Sequence, residues 1–234
     1  MLPNVSNKKN LENYDPKVRI RTKEELLVRR YEFLKICEVL DKLNIRYFLG
    51  GGVLLGAIRH NDFIPWDWDA ELSVFTEEVA QKIDLLMNEI TLSGFTIKKC
   101  TKELSRLKID FTGKLPAEVT SYTIMGWSHD KKKKIFWRNT FKIPDHFLTN
   151  MEKIKFFNRY HFVQTPPEKY LEHQYGDWKK PLQTSNKYKY LSKEYSGMSL
   201  TLDTFKKVRS SLITYILSYS LISKILKFYK KNKE

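Results

Sequence analysis

Residues 48–75, FLGGGVLLGAIRHNDFIPWDWDAELSVF, limit what this chain can become more than any other stretch. Gly50, Gly51 and Gly52 interrupt a short apolar run and open a helix-like one, VLLGAIRH. The HND turn and Pro65 follow, and proline keeps its predecessor extended. Residues 66–74 then read as a strand. Side chains on a strand alternate between faces, so Asp67, Asp69 and Glu71 share one face and Trp66, Trp68, Ala70 and Leu72 share the other. The two tryptophans are expected beneath the acidic strand. Neighbouring acids on the common face lie ~6.5–7 Å apart. Carboxylates this close repel each other unless a cation joins them. Their hard oxygens suit Mg²⁺ or Mn²⁺, which bridge to substrate phosphates.

The glycines complement the acids. A glycine turn that leaves a strand and opens a helix lets backbone N–H groups approach a phosphate closely. Gly50, Gly51 and Gly52 therefore form a candidate phosphate cradle beside a candidate metal site. A further acid, Asp110 in LKIDF, stands in an otherwise apolar strand. It is read as a metal ligand or as a general base, with pairing to a lysine as the structural alternative. Taken singly, three glycines make an ordinary turn and alternating acids the wet face of an edge strand. Together they predict phosphoryl or nucleotidyl transfer assisted by a metal.

The rest of the chain bounds this reading. Its 234 residues, 41% of them hydrophobic, are enough for one large domain with appendages. A net charge of +15 attracts anions, which include nucleotide phosphates, nucleic acid and acidic membranes. An acidic triplet at the site argues against nucleic acid. Cys37 and Cys100 are far apart and lack CxxC spacing, so neither a cysteine zinc site nor a disulfide framework is expected. Both are read as core residues. The N-terminal segment has no apolar signal region, so a cytoplasmic location is the default.

Residues 1–21 are polar and irregular, an expected arm. Thr22 and Glu25 form a predicted capping box for a helix running to Leu43. Residues 45–49 read as a strand, 76–92 as one helix stopped by Gly94, and FTIKKC, LSRLKIDFT and EVTSYTIMGW as three strands. The lysines at 131–134 read as a solvated turn, and a short helix follows Pro166 and Pro167. Residues 204–231 read as a basic amphipathic helix. Its uncharged run, 210–223, is too short to span a bilayer. It suits an anionic interface, or packing on the domain or on a second subunit. The chain is thus expected to be a mixed α/β domain over 22–200 with a C-terminal helical extension over 201–234.

At the level of motif, GGGVLLGAIRHNDFIPWDWDAEL resembles the signature of the LicD/fukutin family, roughly G-G-T-L-L-G-x-x-R-H-x-x-x-I-P-W-D-x-D-x-D. TPPEKYLEHQYGDWKKP is similar to that family's P-x-x-Y-L-x-x-x-Y-G-x-x-W-x-x-P segment, so the likeness spans about residues 24–182. It implies a nucleotidyltransferase-like fold. It also implies an enzyme that moves a phosphate-linked alcohol, such as phosphocholine or an alditol phosphate, from a CDP-activated donor to a hydroxyl of a cell-surface glycan, releasing CMP. By the same likeness Asp67 and Asp69 match the metal-binding acids, Glu71 stands where a third aspartate is usual, and Asp110 matches a later acid. Val53 replaces a usual threonine.

Arg59 is read as a phosphate clamp or a helix-end cation, and His60 as a donor contact or a brace for the acidic loop. His173, Tyr175 and Trp178 are candidate donor or acceptor contacts. A lipid-linked acceptor would make a peripheral membrane contact through 204–231 useful. Two other functions are carried beside this one. One is transfer of a nucleoside monophosphate to a small molecule, and the other is non-catalytic binding of membrane or RNA.

Overall fold

The computed structural model describes residues 18–103 and 106–196. The expected helix over 204–231 and most of the expected arm lie outside the described residues. The first helix, α1 (Lys23–Lys42), starts where its capping box predicts. Glu25 N donates to Thr22 Oγ1 at 3.2 Å, and Thr22 N donates to Glu25 Oε2 at 2.9 Å. Its buried stripe carries Phe33, Ile36, Cys37 and Leu40. Cys37 is a free thiol that burial pushes up to about 12, in keeping with a core role.

The chain then forms β1 (Tyr47–Leu49), α2 (Gly51–His60) and β2 (Asp69–Phe75). Next come α3 (Thr76–Val79), α4 (Ile83–Leu92), β3 (Thr96–Glu103), β4 (Arg106–Thr112) and β5 (Ser121–Asp130). Two short hairpins, β6 (Ile135–Arg138) with β7 (Phe141–Pro144) and β8 (Glu152–Phe156) with β9 (Arg159–Val163), flank α5 (His146–Thr149). The elements α6 (Pro167–Tyr175), α7 (Lys187–Tyr190) and α8 (Lys193–Ser196) close the described part.

Among the described residues one mixed sheet runs in the order β3-β4-β5-β2-β1-β9-β8, with β6 and β7 extending from β5. The β2–β5 and β1–β9 pairs are parallel, and the other pairs are antiparallel. One face of the central strands is apolar: Ala70, Leu72, Val74, Ile109, Phe111, Tyr122 and Ile124 are all buried. Helix α1 reaches this side, where Glu32 accepts a 2.7 Å hydrogen bond from Tyr122 Oη. The opposite face carries the polar groups. Register places Glu71 beside Thr123, and Thr123 beside Asp110.

Three expectations are corrected here. The helix over 76–92 is two helices, because Lys82 turns out of the path and its ammonium donates to the carbonyls of Leu43 and Asn44 at 2.9 and 3.2 Å, at the end of α1. Cations are favoured at such carbonyl ends. Strand β2 begins at Asp69 rather than at 66, so Asp67 sits in the approach to the strand. Trp68, expected beneath it, is 59% exposed, while Trp66 is half-buried and its indole donates to Leu182 O at 3.1 Å.

Gly56 lets α2 lie directly on the turn that leads to the acids. A Cβ there would stand 2.5 Å from Asp62 O and 3.3 Å from Ile64 N, both backbone atoms. Overpacking of this kind costs about 1–3 kcal/mol. Urea unfolding of Gly56→Ala is expected to show a loss of that size, and an unchanged midpoint would mean that the contact is slack.

Candidate functional site

The glycine turn and the acidic strand are in contact. Gly51 has φ +50°, a left-handed conformation that strains any side chain. At Gly52 the limit is space, since a Cβ would stand 1.7 Å from Asp67 Oδ2. A Cβ on Gly50 would meet Ser73 Oγ at 2.5 Å and Glu71 Oε1 at 2.7 Å. The carboxylates of Asp67 and Glu71 thus lie against the N-terminus of α2.

Two arginines hold the loop that delivers Asp67. Arg29 of α1 is 1% exposed; it donates from Nη1 to Asp67 O at 2.6 Å and from Nε to Thr120 Oγ1 at 2.8 Å. Arg21 donates from its backbone N to Pro65 O at 2.9 Å and from Nε to Val119 O at 2.5 Å. Burial pushes Asp67 up to about 6, with Arg29 and Arg21 pulling down and Glu71 pushing up. Burial pushes Asp69 well above the usual range, with the negative charges of Asp67 and Glu71 adding to it.

The outer acids are already engaged. Glu71 Oε1 accepts from Arg138 Nη1 at 2.5 Å and from Ser73 Oγ at 3.3 Å. Asp110 Oδ1 pairs with Lys108 Nζ at 2.7 Å and accepts from Thr123 Oγ1 at 3.0 Å. Asp110 is thus paired with a lysine while it stays on the sheet face that carries Glu71. With Thr123 between them, the Cα atoms of Glu71 and Asp110 are about 10 Å apart by strand spacing. Among the described residues no three His, Cys, Asp or Glu side chains converge as a ready-made ligand set.

Arg59 and His60 are not brought to the glycines. They end α2, ~12 Å along the axis from Gly51 at 1.5 Å per residue. Arg59 donates from Nη1 to Trp178 O at 2.9 Å and from Nε to His60 Nε2 at 2.8 Å. This is the helix-end alternative, which ties α2 to the segment after α6. Trp178 serves here through its carbonyl. His173 packs on Phe147 and Tyr195, with Nδ1 3.5 Å from Glu194 Oε1. Burial raises the Tyr175 phenol, and Tyr195 and the charges of Asp67 and Glu71 add to the rise. Tyr190 feels Asp67, Asp69 and Glu71 in the same way, and the two rings are 6.3 Å apart. The lysines at 131–134 are exposed, as expected of a solvated turn.

Sequence reasoning missed Arg29, Arg138 and Tyr190. The first two carried a signal. Arg29 falls on the helical stripe between Leu26 and Phe33, and Arg138 alternates with buried Phe136 on a short strand. A basic residue at an inward position needs an acidic partner.

With this geometry in place, the chain was compared with known proteins. A profile of the LicD/FKTN/FKRP nucleotidyltransferase domain matches residues 44–168, more than half of the chain. The chain belongs to the LicD family. Human ribitol 5-phosphate transferase FKRP is 30% identical over 146 residues, which are 59% of this chain and 29% of that protein. The lipopolysaccharide cholinephosphotransferase LicD of Haemophilus influenzae is 42% identical over 57 residues, 24% of this chain and 20% of that protein. The chain thus spans less than a third of the length of either relative. A solution structure of the antibiotic-resistance factor ANT(2″)-Ia aligns over 83% of this chain and 96% of its own, at 11% identity and a TM-score of 0.44. The mixed α/β architecture expected from the sequence is the one this LicD-family chain has. No helix among the described residues is long and apolar enough to cross a membrane.

The raised acids have a consequence for stability. An acid whose folded pKa is raised binds its proton more tightly in the folded state, so stability falls as pH climbs through that interval, from 3.8 to about 6 for Asp67. In EDTA, Asp69→Asn is expected to melt at least ~2 °C above the wild type near pH 7.5, since ~1 kcal/mol is worth ~2–4 °C in a chain of this size. The gap should narrow towards pH 4.5. A melting point below the wild type at both pH values would refute the repulsion.

Proposed function

We propose that this protein transfers a phosphate-linked alcohol from a CDP-activated donor to a hydroxyl of a glycan, with a divalent cation bound at the acidic strand. The observation that carries the reading is the contact between Asp67 and Gly52. It makes one site of a cluster of carboxylates and a helix N-terminus that suits phosphate. Family membership and the activities for which the two relatives are named agree with it.

The residues fit a hard cation. Asp67 and Asp69 offer oxygen donors only, and burial pushes both towards protonation, with the charge of Glu71 adding to it at both and that of Asp67 adding to it at Asp69, a penalty that a bound cation would offset. Asp67 and Asp69 would hold Mg²⁺ or Mn²⁺, with Glu71 as a further donor. The ion would supply charge neutralisation at the phosphate oxygens. Gly51 and Gly52 present backbone N–H groups to the donor diphosphate at the head of α2. Their lack of side chains lets the Asp67 and Glu71 carboxylates, and the cation they would hold, lie against those groups.

In the transfer, the acceptor oxygen bonds to the donor's β-phosphorus, the bond from that phosphorus to the oxygen bridging it to the α-phosphate breaks, and CMP departs with that oxygen. We assign Asp110 the acceptor's proton. Its place on the same sheet face as Glu71, across Thr123, supports this, and the Lys108 ammonium beside it is poised to compensate its charge. Tyr175 and Tyr190, whose rings pair at 6.3 Å and whose phenols feel the charges of Asp67 and Glu71 in addition to burial, are assigned to the transferred alcohol or the base of the donor.

The test is incubation with a panel of CDP-alcohols and a glycan extract, in Mg²⁺ or in EDTA, with CMP as the readout. CMP is expected in Mg²⁺ alone. Asp69→Ala should abolish it, and Gly52→Ala should lower kcat at least tenfold while the fold survives. Pyrophosphate released from a nucleoside triphosphate, in place of CMP, would favour nucleotidyl transfer. No CMP from any donor with acceptor present would defeat the reading.

A further inference from the structure

Arg138 closes β6 on the same side of the sheet as the acids and is 7% exposed. Every group around it restrains the guanidinium. Nη1 donates to Glu71 Oε1 at 2.5 Å and approaches Met125 Sδ at 2.7 Å, and Nη2 donates to Tyr195 Oη at 3.3 Å. The guanidinium carbon lies 4.7 Å from the Trp127 ring centroid and 5.8 Å from that of Phe141. Tyr195 in turn stacks on Phe141 at 5.0 Å. Two aromatic rings beside the guanidinium and separate partners on Nη1 and Nη2 restrain its orientation, although Nε has no hydrogen-bond partner among the described residues.

That orientation is passed to Glu71 through one oxygen. Oε1 takes both Arg138 and the Ser73 hydroxyl, and Ser73 Oγ is itself fixed by Trp127 Nε1 at 3.3 Å. Oε2 faces the glycine turn, 3.6 Å from where a Cβ on Gly51 would stand. Both oxygens lie at the head of α2, Oε1 being 2.7 Å from where a Cβ on Gly50 would stand, but Oε1 is taken by Arg138 and Ser73 while Oε2 is left beside Gly51. A glutamate's extra methylene supplies the reach to do both.

We infer that Arg138 is a positioning residue for the site: by holding Glu71 Oε1 it directs Oε2 to the glycine turn, where the proposed cation and donor diphosphate meet. The inference rests on the metal-dependent reading above. It differs in sign from the alternative in which Arg138 is only a neighbouring positive charge. Such a charge repels a cation, so removing it would tighten cation binding. Removing a group that orients a ligating carboxylate weakens binding, typically 10–100-fold.

The experiment titrates the full chain with Mn²⁺ in the presence of CDP and reads free Mn²⁺ by electron paramagnetic resonance. Circular dichroism melting is recorded for every variant. Arg138→Lys keeps the charge and loses the fork; it is expected to remain folded and to bind Mn²⁺ about tenfold more weakly. Arg138→Met is expected to bind more weakly still. In the Glu71→Gln background, Arg138→Met should change Mn²⁺ affinity less than twofold, since the residue it acts through is already lost. Wild-type affinity in Arg138→Lys, tighter binding in Arg138→Met, or equal losses in both backgrounds would each overturn the inference while leaving the metal reading intact. Absence of Mn²⁺ binding by the wild type would overturn both. Should Arg138→Met alone fail to fold, Arg138→Lys and the double variant decide.

Discussion

Antiparallel pairing of Tyr47, Phe48 and Leu49 with Val74, Ser73 and Leu72 is the interaction on which the rest of the site depends. Three residues of register fix where β1 stops, and they bring Gly50 beside Glu71. The chain must then reverse into α2 within a space that admits no side chain at Gly50 or Gly52. Apolar Phe48, Leu49, Leu72 and Val74 make a slip of the register costly, because moving one residue along a strand exchanges its faces. The polar geometry is thus set by apolar packing underneath it.

The charges follow the same economy of position. The chain as a whole is strongly basic, yet its acids gather where backbone amides also converge. Two of the site's carboxylates have an ion pair, Arg138 of β6 on Glu71 and Lys108 of β4 on Asp110, while Arg29 of α1 holds Asp67 through its backbone carbonyl. Asp69 at the centre has no such dedicated ion pair among the described residues, and burial raises it well above the ordinary range. A basic outer field attracts anions in general, and an unevenly compensated group of carboxylates attracts positive charge.

What the sequence disclosed was whatever is encoded locally. The capping box at Thr22 and Glu25, the glycine turn and the alternation through LKIDF need only near neighbours. Strands β6 to β9 are four or five residues long, and their pairing comes from distant partners. RYHFV gains its place beside β1 from the Phe48–Phe162 contact, which no local pattern announces. The break between α3 and α4 has the same origin, since Lys82 is drawn to carbonyls some forty residues earlier. At the site, spacing showed which acids share a face. It did not show that Arg138 would take one oxygen of Glu71, or that Arg59 would turn to Trp178 at the far end of its helix.

Arg29 carries an implication for where this domain begins. The segment shared with the family profile starts at residue 44, whereas Arg29 belongs to the preceding helix and reaches back to the carbonyl of Asp67 and to Thr120. A fragment trimmed to the profile's edge would keep Asp67, Asp69, Glu71, Asp110 and the three glycines of the turn and lose the strut that sets their loop. The stretch of chain that shapes the site is therefore longer than its recognisable signature, and the first helix belongs to it as much as the motif does.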